Sequence, residues 1–422
     1  MQDCKVLVDH GLQWEKFCIT LAPSLPKYSP TTTTAPSTLH TSEGQKRKRR
    51  SREEGVQRSS TSDVGQATIL FIGAVRNMKE TAGNPKVIWD KLQVNEHLSY
   101  SISADFSCLM PMFGLMSCSS SHPCLYCTQR RFHSGEWEGA EARVKRGVPG
   151  VAPLRTLGGI TRQCEEWKDK GAKYETVHTQ KYESCVSEVL VRCRGDTDAT
   201  TVLEKVGPPG VHLLLGANTV LRPHCEKYFG GEDAMLEVLR KEVGVVPHSY
   251  QGDKGAFEGP QTSKILDRLE VLRPYILNEE IYQDGWFYYC VLASFKEVKD
   301  ACFGIHLDPR FEAILADFAA HVHHANIGVE MPITPKLHVI SVHLVQWCRS
   351  TGVGLARANE AAVEAAHHTW WEVWKHYKVH SWCYISLFCS SPKLGPAEIH
   401  FKMKCSFSHS KFYPKLFSKL CF

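Results

Sequence analysis

The feature that most constrains the fold of this chain is a C-x-x-C pair, Cys124 and Cys127, in the stretch SSSHPCLYC. This spacing has three interpretations: half of a zinc site, a redox dithiol, or two ordinary cysteines in a loop. A redox dithiol needs a thioredoxin-like βαβ setting, and the flanking SCSSSHP gives no such pattern. Pro123 and Tyr126 favour a tight turn that points both sulfurs the same way. A zinc site would still need two nitrogen or sulfur ligands from elsewhere in the chain.

The best candidates for those ligands lie far downstream, in KLHVISVHL, where His338 and His343 are spaced H-x4-H. Five residues of a regular α-helix advance about 500°, so the two rings do not share one stripe. They converge only if the helix ends or distorts between them. The alternative is a pair of helix histidines that merely pack or face solvent. If all four residues bind one metal ion, two remote segments must meet in the fold.

Composition places the chain among ordered globular proteins. Its 422 residues are 43% hydrophobic, enough for a substantial core and for two or three domains. The formal charge of +5 neither demands nor excludes a polyanionic partner. The start MQDCKVLVDH has no signal-peptide pattern, so the 17 cysteines indicate a reducing compartment. No apolar run is long enough for a membrane span.

Changes in composition and in the spacing of apolar residues divide the chain into five parts. We predict an α/β (α+β) fold in which a sheet core is interrupted by a large, mostly helical insertion. The predicted parts are residues 1–65, a disordered basic and Pro/Thr-rich tail; 66–150, a partial core with the C-x-x-C pair; 151–330, the helical insertion; 331–380, which completes the core; and 381–422, an irregular tail.

Apolar spacing predicts individual elements within these parts. HLSYSISA (97–104) alternates like a strand, and ATILFIGAV is a strand or the start of a buried helix. Helices are predicted in SKILDRLEVLRPYILN, DPRFEAILADFAAHVHH and KLHVISVHLVQWCR, and also across residues 160–192.

The N-terminal tail carries a basic cluster in GQKRKRRSREEG, which is typical of a nuclear-import or nucleic-acid-binding segment. The alternative is a solvated basic linker. The cluster consists of Lys46, Arg47, Lys48, Arg49, Arg50 and Arg52.

Two groups of acids are candidate ligands for a hard metal ion. Asp105 follows the predicted strand 97–104, and Glu360 and Glu364 lie four residues apart on the helix ANEAAVEAAHH. Carboxylates on a strand end and a facing helix suit a two-metal site for Mg²⁺ or Mn²⁺. Taken singly, each acid is equally consistent with an ordinary strand end or a solvated helix face.

The order of these features resembles the catalytic core of the Transib transposases and the related V(D)J recombinase. The matching elements are Asp105, the C-x-x-C pair, a long helical insertion, the H-x4-H pair and Glu360, over roughly residues 95 to 380. The resemblance implies an RNase H-like DDE domain in which Asp105 and Glu360 hold catalytic Mg²⁺ or Mn²⁺. It implies structural Zn²⁺ on Cys124, Cys127, His338 and His343. In PPGVHLLLGANTVLRPHCEKYF it also places His212 at a helix start near the active site.

The implied function is metal-dependent cleavage and transfer of DNA strands by a nuclear protein, with DNA as partner, no membrane, and a homodimer as a candidate assembly. Arg130, Arg131 and Lys336 are candidate phosphate contacts. The sequence departs from the family at its first catalytic Asp, because the nearest acids, Asp63 and Asp90, do not follow convincing strands. The expectation is therefore a truncated or decayed copy. The alternatives are an inactive, zinc-stabilised scaffold that binds DNA or protein, and a helical zinc protein with no nucleic-acid role.

Overall fold

The structure is a computed structural model of the chain. It describes residues 4–11, 14–21 and 68–76, a few residues between 86 and 96, and residues 100–357 except 133, 135, 170–180, 222–231, 247–256 and 278–281. The basic cluster at 46–52, Asp63, Glu360, Glu364 and the whole predicted tail 381–422 lie outside these residues.

Four strands precede the helical part of the chain. They are β1 (Cys4–Gly11), β2 (Trp14–Leu21), β3 (Thr68–Arg76) and β4 (Tyr100–Ser103), and their backbones pair in the order β3-β2-β1-β4. β2 runs antiparallel to β1 and to β3, whereas β4 is parallel to β1 with Leu7 opposite Ser103. β4 ends two residues before Asp105, as the alternating pattern predicts. β1 and β2 fall inside residues 1–65, where we predicted disorder because Pro, Thr and basic residues dominate the rest of that segment.

The described residues are mostly helical. The helices are α1 (Phe106–Met112), α2 (Ala140–Lys145), α3 (Leu157–Asp169), α4 (Val202–Lys205), α5 (Gly210–Leu214), α6 (Glu232–Val238), α7 (Gly259–Asp267), α8 (Leu269–Ile276), α9 (Tyr282–Cys302), α10 (Phe311–Val329), α11 (Pro335–His338) and α12 (Leu344–Thr351). A π-helical turn, Val339–His343, joins α11 to α12. The helices predicted from apolar spacing between residues 263 and 349 are therefore confirmed.

The two longest helices, α9 and α10, pack together along an apolar seam. Phe287 near the start of α9 meets Gly328 near the end of α10, so the two helices are antiparallel. A Cβ at Gly328 would overlap the Phe287 ring, which explains the glycine at this crossing. Phe295 and Phe318 are buried on the same seam and meet edge to face at 5.4 Å. α10 in turn packs against the π-helical turn Val339–His343 and against Leu344–Thr351.

The helix predicted across residues 160–192 is only partly present. α3 ends at Asp169, and the described residues 184–192 contain no helix. Their backbone instead pairs with the chain after α1: Val186 N–H donates to the Gly114 carbonyl at 2.8 Å and Leu190 N–H to that of Met112 at 2.8 Å. Gly114 permits this approach because it has a φ of 73° and no side chain to strike Ser187. Backbone hydrogen bonds to a segment that is remote in sequence therefore determine the conformation here, although the local sequence pattern favours a helix.

Within the described part of the chain, no helix is long and apolar enough to cross a lipid bilayer.

Candidate metal centre

The C-x-x-C pair and the H-x4-H pair meet in the interior of the protein. The Cys124 Sγ lies 3.4 Å from the His343 Nε2, and the Cys127 Sγ lies 3.4 Å from the His338 Nε2. The four ligand atoms all lie within 4.8 Å of one another, and all four residues are buried. Among the described residues, this is the one cluster of three or more such side chains with metal-ligand spacing.

The π-helical turn Val339–His343 explains how two histidines five residues apart face the same point. In an α-helix their rings would diverge, but a π-helix closes each turn with an i to i+5 hydrogen bond. Residue i+5 therefore lies roughly above residue i, and the His338 and His343 rings meet at 5.2 Å. The spacing of the two histidines requires a distortion of the helix between them, and the π turn is that distortion.

The donor set fits zinc. For Zn–S bonds of about 2.3 Å and Zn–N bonds of about 2.0 Å, a tetrahedron has S···N edges of about 3.5 Å, close to the separations here. Burial lowers the pKa of His338, which keeps the imidazole neutral as a metal ligand must be. Burial raises the pKa of Cys124, whereas a hydrogen bond from the Cys124 thiol lowers the pKa of Cys127, so the pair favours a thiolate at Cys127. Each sulfur faces a histidine nitrogen, and this arrangement supports a structural metal site rather than a redox dithiol.

The buried Arg155 fixes the turn that presents the two cysteines. Its guanidinium donates to the Cys124 carbonyl at 3.0 Å and to the Glu183 carbonyl at 2.8 Å, and it also reaches the His122 carbonyl at 3.4 Å. The Tyr126 backbone N–H points at the Cys124 sulfur at 3.4 Å. The planar guanidinium group of Arg155 thus connects the C-x-x-C turn to the segments that contain Arg155 and Glu183.

Two further side chains orient the histidines. The Trp137 ring stacks on His338 with centroids 4.0 Å apart and 7° between the planes, and its Nε1 donates to the Ile333 carbonyl at 2.7 Å. The Gln346 Oε1 lies 3.4 Å from the His343 Nδ1, the position of an outer-shell acceptor. Arg155, Trp137 and Gln346 were not predicted from the sequence. Only Gln346, three residues after His343 on a predicted helix, carried a local signal.

Asp105 lies where β4 passes into α1, and its carboxylate caps that helix. The carboxylate accepts from the Cys108 backbone N–H at 2.7 Å and from the Ser107 hydroxyl at 3.1 Å. The next residue, Phe106, packs edge-on against Tyr126 at 6.5 Å, and Tyr126 in turn contacts His343 at 5.6 Å. The metal centre and the end of β4 therefore belong to one packed unit.

A cation and a thiol share the surroundings of Asp105. Burial lowers the pKa of Lys336, against the opposing effect of Cys118 and Asp105. Burial also raises the pKa of Cys118, and the Asp105 charge adds to this rise. Lys336 lies two residues before His338, so α11 contributes both a metal ligand and a cation to this region.

The other predicted site residues stand as follows. His212 lies half-buried in α5, two residues after that helix begins, which leaves its catalytic role a prediction. Asp90 is exposed and pairs with Lys86 at 3.6 Å, a surface contact that favours an ordinary structural role. Arg130 and Arg131 follow the C-x-x-C pair, both half-buried. Glu360 and Asp63 lie outside the described residues, so their predicted roles stay predictions.

No model of a known protein family matches this chain, and no curated protein is detectably similar to it.

Proposed function

We propose that this protein is a DNA transposase or recombinase-like protein with an RNase H-like core, as its resemblance to the Transib and V(D)J recombinase cores implies. The observation that carries the proposal is the Cys2His2 cluster. The C-x-x-C and H-x4-H pairs were predicted from their spacing and also match that resemblance; although 211 and 219 residues separate the facing ligands, the pairs come together with zinc geometry. A chance arrangement of core cysteines and helix histidines would not require the π turn that aligns them.

The strand pairing adds support for an RNase H-like core. Such a core needs an antiparallel set of strands extended by a strand parallel to the first, and β3-β2-β1-β4 has this arrangement. The pairing ends with Leu7 opposite Ser103, and the same register extended by two residues would align Asp9 of β1 with Asp105. Carboxyl ends of adjacent parallel strands share one edge of a sheet. Asp9 is therefore our candidate for the first catalytic acid that Asp63 and Asp90 did not supply.

In this proposal Asp9, Asp105 and Glu360 are the carboxylates that hold Mg²⁺ or Mn²⁺. A bound pair of such ions supplies an activated water and neutralises charge on the phosphate during strand cleavage. Lys336, whose pKa is lowered by burial against the opposing charge of Asp105, remains a candidate phosphate contact. The zinc-binding residues have a separate role, because they fix the helix that bears Lys336 against the turn that follows β4 and α1. The basic cluster at 46–52 supports a nuclear location.

The proposal is tested by Mn²⁺-dependent cleavage of plasmid DNA. We expect Asp9→Asn, Asp105→Asn and Glu360→Gln each to lower the cleavage rate about a hundredfold or more. Mutation of residues that only hydrogen-bond to metal ligands already lowers activity by up to that factor. Asp90→Asn is the matched control, because it removes an exposed acid that pairs with a surface lysine. Equal cleavage by all four variants would contradict the assignment.

A second candidate is an inactive, zinc-stabilised scaffold that binds DNA or protein. The observation that favours it is the capping role of Asp105, which suffices to explain an acid at this position. In that case the wild-type protein would bind DNA or a protein without Mn²⁺-dependent cleavage, and Asp105→Ser, which retains a capping side chain, would be nearly neutral for stability.

A further inference from the structure

A buried lysine and a buried cysteine lie in direct contact outside the four-residue metal cluster. The Lys205 Nζ donates to the Cys193 Sγ at 2.9 Å, and the same nitrogen lies 3.0 Å from a carboxylate oxygen of Asp196. The side chains of both charged residues are buried together with the cysteine. A thiol, an amine and a carboxylate thus share one small site in the interior of the protein.

A tight turn holds the cysteine and the carboxylate together. The Asp196 backbone N–H donates to the Cys193 carbonyl at 3.0 Å, and the Cys193 backbone N–H donates to the Asp196 carboxylate at 2.7 Å. Moving the carboxylate away would break both the turn and the ion pair with Lys205. Asp196 is therefore positioned to accept a proton from the lysine nitrogen.

The lysine is held by a short helix that is anchored at both ends. Lys205 is the last residue of α4, and this helix begins with a reciprocal cap. The Thr201 hydroxyl accepts from the Glu204 backbone N–H at 3.2 Å, and the Glu204 carboxylate accepts from the Thr201 backbone N–H at 2.6 Å. After the helix, Val206 pairs with Ile102 of β4. The backbone that carries the lysine is thus fixed on both sides.

Oxidation of Cys193 would create an electrophilic sulfur next to a nitrogen. Cys193 is a free thiol, and a thiol oxidised to a sulfenic acid condenses with a neighbouring thiol or nitrogen. Because only 5% of Cys193 is exposed, a bulky soluble thiol such as glutathione has little access to its sulfur. The Lys205 nitrogen, which already contacts the sulfur, is therefore the favoured partner.

We propose that Cys193 and Lys205 form an oxidation-dependent covalent link, a sulfenamide bond between Sγ and Nζ. Hydrogen peroxide first oxidises the thiol to a sulfenic acid, with release of one molecule of water. The Lys205 ammonium gives a proton to Asp196, and the nitrogen lone pair forms the N–S bond as the S–O bond breaks. The departing hydroxyl takes a second proton from the nitrogen and leaves as water. Two electrons have then passed from the sulfur to the peroxide.

The link closes a covalent ring through residues 193–205 and joins the turn to α4. The linked nitrogen keeps one hydrogen that can donate to Asp196 but loses its positive charge. Two molecules of a thiol reductant reverse the reaction, because they restore the cysteine and the lysine as they form a disulfide with each other. The inference does not depend on the proposed function, since only these three side chains and the oxidant take part.

The test treats the folded full chain with a small excess of hydrogen peroxide and identifies linked peptides by mass spectrometry after protease digestion. We expect a linked pair, one peptide containing Cys193 and one containing Lys205, whose combined mass is lower by two hydrogen atoms. The pair should disappear after treatment with dithiothreitol. Protein that is unfolded in denaturant before oxidation should yield far less of it, because the contact between sulfur and nitrogen is then lost.

Lys205→Arg keeps a positive charge beside Asp196 but removes the nucleophile, because a guanidinium is not deprotonated in proteins. This variant should lose the linked pair and accumulate a sulfenic acid at Cys193, detected by its reaction with dimedone. Cys193→Ser should lose both signals. The matched control is Lys168→Arg, at an exposed lysine one helical turn after the buried Cys164, and it should form the link as wild type does.

The wild-type measurement decides the proposal even if a variant does not fold. A sulfenic acid at Cys193 without the linked pair would overturn the proposal, and so would the absence of any oxidation at Cys193. Equal yields from folded and unfolded protein would also overturn it, because the folded contact would then not direct the reaction. A linked pair that persists in Lys205→Arg would contradict the assignment of the nitrogen. None of these outcomes bears on Mn²⁺-dependent cleavage.

Discussion

The Sγ of Cys127 lies 3.4 Å from the Nε2 of His338, although 211 residues separate them in the chain. A contact of such long range closes a loop that includes nearly the whole helical part of the protein. The entropy of closing a loop grows with its length, so a metal ion at this point constrains the unfolded chain strongly. Zinc binding should therefore contribute to folding as well as to local geometry.

The first prediction concerns the metal itself. Cys124→Ser should reduce bound zinc well below one per chain, because a neutral hydroxyl replaces a thiolate ligand. Loss of the metal should lower the free energy of unfolding by about 5 kcal/mol or more. The measurements are metal content after dialysis and denaturant unfolding with and without a chelator.

Cys164→Ser is the matched control for that experiment. Cys164 is also buried, in α3, but it lies outside the four-residue cluster. We expect it to retain full zinc content even if it loses some stability. Equal zinc loss in both variants, or none in Cys124→Ser, would exclude the Cys2His2 site.

The second prediction concerns Trp137. Trp137→Ala removes the stack on His338 and leaves the Ile333 carbonyl without its donor, so zinc should dissociate faster by about tenfold or more. Trp137→Phe keeps an aromatic face and loses only the Nε1 donor, and its zinc should dissociate at an intermediate rate. The rates are measured by transfer of zinc to a colorimetric chelator. A Trp137→Ala protein that releases zinc as slowly as wild type would show that the stack does not orient the ligand.

The sequence predicted the ligand set because zinc chemistry restricts both residue type and spacing. Cys124, Cys127, His338 and His343 are recognisable without knowing the path of the chain between them. The sequence predicted that the helix must distort between His338 and His343, since α-helical geometry alone separates the two rings. It did not predict that the distortion is a π turn or which residues form it.

Other parts of the site had no local signal. Arg155 acts through three carbonyl groups from segments that are remote in sequence, and nothing in APLRTLGG indicates this role. Asp9, the proposed first catalytic acid, also had no local signal, because one strand in isolation does not reveal its parallel partner; β1 pairs with β4 over Cys4–Leu7. The helix predicted across residues 160–192 is absent from residues 184–192 for a similar reason, since the pairing partner of this segment at Gly114 is about seventy residues away.

The third prediction concerns Arg155. Arg155→Ala removes the donor shared by the His122, Cys124 and Glu183 carbonyls, and a buried acceptor left without a partner costs about 1–3 kcal/mol. We expect a loss of about 3 kcal/mol or more in the free energy of unfolding, together with weaker zinc binding, because the C-x-x-C turn loses its anchor.

Arg162→Ala, at an exposed arginine of α3, provides the comparison and should change stability by less than about 0.5 kcal/mol. Arg155→Lys should recover only part of the loss, since one ammonium cannot reproduce the planar set of donors. If Arg155→Ala were as stable as Arg162→Ala, the guanidinium would not be the anchor of the turn.

The fourth prediction is a pH dependence that originates away from the metal centre. Burial and a 2.8 Å bond to Glu270 raise the pKa of Tyr289 to about 12, whereas an unfolded tyrosine titrates near 10. The unfolded state therefore loses this proton first as the pH rises. The stability that Tyr289 provides is fully present below about pH 10 and is lost between about pH 10 and 12. Tyr289→Phe should flatten the fall in the free energy of unfolding over this pH range. Tyr275→Phe is the control: it removes a half-buried hydroxyl that donates a hydrogen bond to Glu242 at 3.1 Å, and it should preserve the fall. Identical alkaline slopes for wild type and Tyr289→Phe would show that the buried hydroxyl is not the source, since a single proton bound only by the folded state must produce this slope.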